Sequence, residues 1–185
     1  FADKEPETVV TESTGIALLW VCAVPDCASI LSIKGPNPSD FEILKLNVSN
    51  ESKLINKGLG NSNQSLPFYV CTEDGDSSFI EPKKYSQICD ISVLRLDNLM
   101  QQLNLNKVKL IKIEAEGYEP EILEGALNTL NIIKYISIDC GFERYGNSTF
   151  AQVSDFLIKH EFHLLDFNSN RHSMLFCNKR ILSIK

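Results

Sequence analysis

The chain has 185 residues, 43% hydrophobic and 23% charged, enough to bury a core that holds one domain without disulfides or structural metals. Its 18 Lys and Arg against 24 Asp and Glu leave a formal charge of −6, which gives no broad positive field to hold a nucleic-acid backbone or an anionic membrane. Neither nucleic acid nor a membrane is therefore expected as a partner. Six cysteines, Cys22, Cys27, Cys71, Cys89, Cys140 and Cys177, are far apart with no CxxC spacing. They read as reduced, buried thiols of a cytoplasmic protein and not as a disulfide framework or a zinc site.

In chain order, the apolar run at residues 15–24 is about half the ~20 residues a membrane-crossing helix needs. Acidic residues precede it, so it reads as neither a span nor a signal peptide. The chain starts with Phe1 and not Met, which leaves a trimmed amino terminus open. A strand over 29–33 stops at Gly35-Pro36, and Ser39-Asp40 would cap a helix through 47 with Phe41, Leu44 and Leu46 inward. Strands over 53–57 and 67–72 are joined by the polar break 61–65, and Gly58-Leu59-Gly60 reads as a structural turn between neighbouring strands, more than a phosphate loop.

A further strand over 91–96 leads into a helix over 97–103. Residues 108–113 form a strand, and 120–132 carry Ile122, Leu123, Ala126, Leu127 and Leu130 at helical spacing. Pro120 suits the first helical position, and Glu121 and Glu124 complement the positive helix end. A strand over 134–139, a helix over 149–160 burying Phe150, Val153, Phe156 and Leu157, and strands over 162–167 and 172–177 complete the pattern. This alternation predicts a single α/β domain: a three-layer sandwich with a mostly parallel sheet, closed by a C-terminal antiparallel hairpin. Ligands of such sheets sit beyond the carboxyl ends of the strands.

The densest chemical signal lies there. Glu114 and Glu116 are two residues apart, so they would share a face at the end of strand 108–113 if the extended backbone persists, with Gly117 permitting a sharp turn. Such a pair can act as a general base, accept hydrogen bonds from a substrate hydroxyl, attract a cation or ligate a hard divalent metal. The plainer reading pairs Glu114 with Lys112 and lets Glu116 cap backbone amides. Glu143-Arg144 follows the strand ending at Asp139, where loops shape acceptor pockets; a mutual ion pair is the plainer alternative. His160, His163 and His172 flank element ends and do not suggest a metal set.

The residues Val93-Leu94-Arg95-Leu96-Asp97, then Lys112-Ile113-Glu114-Ala115-Glu116-Gly117 and Glu119 through Leu123 to Gly125-Ala126, resemble the signature half of the FkbM-type S-adenosylmethionine-dependent methyltransferases. That half reads "TLD", "KI(D/E)xEG" and "E-x-x-x-L-x-G-A". Arg95 stands at the usual Thr. Asp139-Cys140-Gly141-Phe142-Glu143-Arg144 resembles the "D-x-G-x-E-R" run, Ser77-Ser78 the "GxSS" loop, and Pro36-Asn37-Pro38 with Phe41 to Asn47 the "EPxPxxFExLxxN" segment. The likeness covers about residues 29–178.

The resemblance implies a Rossmann-like fold, S-adenosylmethionine as cofactor, and methyl transfer to a hydroxyl of a sugar or small metabolite. It implies Glu114, Glu116 and Asp139 as catalytic acids and Glu143 and Arg144 beside the acceptor. Glu12, Gly15, Gly35, Asn37 and Ser78 would lie on the cofactor, and no metal is called for. The glycine-rich "DxGAxxG" turn is not intact: Glu12 and Gly15 stand in its place, and Gly35 occupies the position of the ribose-binding acid. Residues 1–28 thus form a divergent or incomplete start. A catalytically inactive domain kept as a binding or structural module is the other reading, and an amino terminus misassigned in the coding sequence is a third.

Overall fold

A computed structural model of the chain describes residues 19–24, 27–33, 52–71 and 77–182, the first of these, through residue 54, by their backbone. In chain order they form β1 (Leu19–Val24), β2 (Cys27–Ile33), β3 (Ser52–Ile55), β4 (Gly58–Leu59), β5 (Gln64–Val70), β6 (Gln87–Leu94) and helix α1 (Leu96–Gln102). There follow β7 (Val108–Ile113), α2 (Glu119–Glu124), a 3-10 turn (Thr129–Ile132) and β8 (Ile133–Asp139). The described chain closes with α3 (Phe150–Lys159), β9 (Phe162–Asn168), β10 (Ser173–Asn178) and α4 (Lys179–Leu182). The expected helix at 39–47 and the residues Glu12, Gly15, Gly35 and Asn37 lie outside the described residues.

The fold is α/β, with two mixed sheets. The larger runs β3-β1-β2-β7-β8-β10-β9 and the smaller β4-β6-β5. Among the described residues, parallel pairing in the larger sheet is confined to β2–β7 and β7–β8, while β1–β2, β1–β3, β8–β10 and β9–β10 are antiparallel. The sheet expected to be mostly parallel is therefore mixed. The reason at its start is geometric: Val24 pairs with Cys27 across a two-residue connection, which can join only antiparallel strands. The C-terminal hairpin is present, Ser173 pairing with Asn168.

β7 lies at the middle of the larger sheet because its sequence tolerates burial. Val108, Ile111 and Ile113 are buried, and each side chain so hidden contributes about 1.5–3 kcal/mol. They share one core with Leu96 and Leu99 of α1, Ile122 and Leu123 of α2, Ile136 and Ile138 of β8, and Val153 and Leu157 of α3. The spacing of Val153 and Leu157, one helical turn apart, sets the inward face of α3 as the sequence predicts.

Three expectations from periodicity need correction. Residues 53–57 and 67–72 do not form neighbouring strands: β3 edges the larger sheet, whereas β5 pairs with β6 in the smaller one. β6 begins at Gln87, ahead of the apolar stretch at 91–96, since its mostly exposed face carries polar residues. The helix read over 120–132 ends at Glu124 and resumes as the 3-10 turn.

The break in that helix has two causes. A Cβ on Gly125 would stand 1.9 Å from the Gly60 carbonyl oxygen, so α2 closes against the Gly58-Leu59-Gly60 segment backbone to backbone. Beyond it the Asp97 carboxylate accepts the Asn128 and Thr129 amides at 3.0 and 2.8 Å and the Thr129 hydroxyl at 2.8 Å. Burial alone would raise the Asp97 carboxyl, but these hydrogen bonds and that from Arg95 outweigh it and hold it below its usual range. Arg95 also donates to the Asn61 carbonyl at 2.9 Å, which gives this residue a fastening role.

Gly125→Ala is expected to lower the free energy of unfolding by about 3 kcal/mol or more, since neither backbone can yield to the added methyl. Urea denaturation of the two proteins measures it; an unchanged midpoint would show that the contact is loose.

Candidate active site

The ladder of β7 ends at Ile113, and the chain turns sharply over the next five residues. Tyr118 N–H donates to the Ala115 carbonyl at 3.1 Å, with Glu116 at φ +48° and Gly117 at φ +92°. Gly117 suits that conformation. For Glu116 the left-handed backbone costs roughly 1–2 kcal/mol, a strain of the kind that gathers at functional sites. The extended geometry that would aim Glu114 and Glu116 at one face is lost at this turn.

Their side chains accordingly serve different surroundings. Glu114 pairs with Lys112 at 2.5 Å, as the plainer reading has it, and its charge reaches Asp139 at the end of the adjacent β8. Burial pushes the Asp139 carboxyl above its usual range, the Cys140 amide that donates to it at 2.9 Å opposes the shift, and the Glu114 charge adds to it. Glu116 lines a cavity of about 1010 Å³ together with Ser78, Tyr85, Phe142, Glu143 and Tyr145. Thus Glu116 and Glu143 meet at one hollow beside the carboxyl end of β7, and Glu114 and Asp139 form a second acidic pair on the neighbouring strand ends.

The amides expected to be capped by Glu116 are capped by Glu119. Its Oε1 accepts the Ala115 and Gly117 amides, both at 3.1 Å, and its Oε2 accepts the Thr149 hydroxyl at 3.1 Å. Glu119 is 1% exposed. Burial raises its carboxyl to about 7 against the opposing pull of those hydrogen bonds. Sequence reasoning matched Glu119 to the motif without giving it a role. The signal was present: an acid two residues after Gly117 and one before Pro120 can reach back over the turn it follows.

Ser78 and Arg144 complete the surroundings of the turn. The buried Ser78 hydroxyl donates to the Glu116 carbonyl at 2.8 Å and accepts the Ile80 amide at 3.0 Å. Arg144 donates to the Gly117 carbonyl at 2.9 Å and forms a two-point pair with Glu121 at 2.9 and 2.5 Å. The guanidinium thus goes to Glu121 and does not line the cavity, unlike Glu143.

A family model described as the Methyltransferase FkbM domain matches residues 14–164, and the chain belongs to this methyltransferase family. Its members use S-adenosylmethionine as methyl donor. No curated protein and no solved structure matches the chain. The described side of the cavity carries groups that suit that donor: Glu81, Glu116 and Glu143 supply acceptors for hydroxyls and negative groups for a sulfonium beside the two lysines Lys83 and Lys84, and Tyr85, Phe142 and Tyr145 supply ring faces. Its volume is at the upper end of the roughly 300–1,000 Å³ of ligand pockets. No helix among the described residues is long and apolar enough to cross a membrane.

Because the Glu119 carboxyl is raised from 4.5 to about 7 in the folded chain, its contribution to stability is whole below pH 4.5 and is lost as pH rises through 7. Glu119→Gln is expected to gain on the wild type across that window, on the order of 2–3 kcal/mol by pH 7, and then to run parallel. Urea titrations at stepped pH test the sign; a constant difference would refute it. Glu116→Gly is expected to be more stable than Glu116→Ala by about 0.5–1 kcal/mol, the left-handed strain relieved exceeding the entropy that glycine adds to the unfolded chain.

Proposed function

We propose that this chain transfers a methyl group from S-adenosylmethionine to a hydroxyl oxygen of a sugar or small metabolite, with the cavity at Glu116 as its active site. The observation that carries the proposal is a carboxylate held on a strained left-handed residue at the rim of a large cavity, in a chain of this family. The parallel core β2-β7-β8, with helices packed on it and ligand groups past its carboxyl edge, supports a Rossmann-like arrangement for the domain.

When bound, the cofactor supplies an electrophilic methyl carbon. The protein's own task is to bring a hydroxyl into line and remove its proton. Glu116 takes that proton and sets a negative charge beside the reacting centre. Asp139, whose proton the nearby Glu114 charge helps to retain, is the second acid at the strand ends. Glu143 orients the acceptor by accepting hydrogen bonds from its other hydroxyls, and the rings of Phe142 and Tyr145 give a sugar or alicyclic face something to lie on. Ser78 acts from beneath Glu116, and Arg144 holds the loop that carries Glu143. On the donor side, the residues assigned by resemblance are Glu12, Gly15, Gly35, Asn37 and Ser78, the last of which lines the cavity.

Gly35 favours a second reading, an inactive domain that keeps the fold as a binding module, because a glycine offers the ribose no carboxylate. A charged hydrogen bond so lost costs roughly 1.5–3 kcal/mol. Thermal unfolding with millimolar S-adenosylmethionine separates the two, since a ligand at 100 times its Kd stabilises by about 2.7 kcal/mol. A clear upward shift is expected, with tritiated methyl appearing on members of a panel of sugars and hydroxylated metabolites. Glu116→Gln should slow that transfer about 10²–10⁴-fold. An unmoved melting curve would sustain the inactive reading instead.

A further inference from the structure

We infer that Ser78, Glu119 and Arg144 are positioning residues with one shared task, to hold Glu116 in its left-handed conformation so that its carboxylate faces the cavity. This rests on the reading that Glu116 works there.

The inference follows from where the main-chain groups of the turn go. The Tyr118-to-Ala115 hydrogen bond already closes it; the other main-chain groups of this buried turn also need partners, and which partners they have fixes the conformation at 116. Four further groups are taken by side chains. Glu119 accepts the amides on either side of Glu116. Ser78 donates to the carbonyl of Glu116 itself, and Arg144 to that of Gly117. The three residues come from separate segments, the 77–80 loop, α2 and the loop after β8, so the clamp gathers three parts of the chain around one residue, and the first and last of these also line the cavity.

Each clamp is secured from behind. Thr149 fixes the far oxygen of Glu119, Ile80 N–H fixes the Ser78 hydroxyl, and Glu121 fixes Arg144 at two points. Glu119 and Ser78 are 1% and 4% exposed, so water does not compete for these bonds. At Gly117 an added Cβ would meet the Arg144 backbone nitrogen at 3.1 Å, which shows how closely that loop is drawn onto the turn. Groups that must keep a reactive side chain within about half an ångström of its working place are built in this way.

The test uses the full chain, isotope-labelled, as wild type, Ser78→Ala, Arg144→Lys and Glu119→Gln. Two quantities are read: the Glu116 backbone angle, from its amide–Hα coupling and carbon shifts, and the affinities for S-adenosylmethionine and S-adenosylhomocysteine, from calorimetry. Ser78→Ala and Arg144→Lys are expected to move Glu116 out of the left-handed region and to reduce, about tenfold, the preference for the sulfonium compound over its neutral product. Glu119→Gln keeps an oxygen toward both amides and is expected to preserve the angle. A merely structural role would weaken both ligands equally and leave their ratio unmoved, which would overturn the inference, as would an unchanged Glu116 angle in both clamp variants. Should Arg144→Lys fail to fold, Ser78→Ala, which removes a single oxygen, decides. Failure of the wild type to bind either ligand would defeat the proposed function, while the backbone angle would still report on the clamp.

Discussion

A carboxyl group sealed from water persists only where donors surround it, and Glu119 has such a shell. It ties Ala115 and Gly117 to Thr149 at the start of α3, joining the strand end, the turn and the helix that follows β8. Without it, two amides in the buried turn would face apolar side chains, each costing on the order of 1–3 kcal/mol. The turn around Glu116, the entry into α2 and the start of α3 all meet at that one group. Its burial is strong enough to hold the proton to about 7, so the donors around it compensate burial only in part.

The second constraint is steric. Gly125 meets Gly60 where no side chain fits, and Asp97 gathers the amides past the end of α2. Together they give physical meaning to the recurring letters of the motif. The first glycine turns the chain, the following acid fastens the turn, the leucine fills the core, and the second glycine lets α2 abut the smaller sheet. A string that reads as a label is a sequence of spatial requirements.

Legibility in the sequence followed the range of the interactions involved. The strand at 108–113, the helix at 150–159 and the closing hairpin were plain because their apolar spacing is local and strong. β4 and the start of β6 were hidden, since they depend on pairing partners distant in the chain, and strand direction is set by connections that composition does not reveal. Within the site, that Glu116 and Glu143 line one hollow could be read from their place just past the strand ends. The separation of Glu114 from Glu116 could not, because it depends on a left-handed residue in a position that strand periodicity treats as extended. Glu119 was visible as a letter and silent as a role, its function being to grip main chain and not to show itself at the surface.

The turn at 115–117 is gripped through its amides and carbonyls, and that has a bearing on how such a scaffold could be repurposed. Amides and carbonyls are the same for every residue type except proline, so the grip does not depend on which side chain the central position carries. Histidine, asparagine or cysteine installed at 116 would meet the same main-chain grip beside the hollow. The chain thereby offers protein engineers a socket, in which the side chain at 116 is a replaceable part and the mount stays as it is.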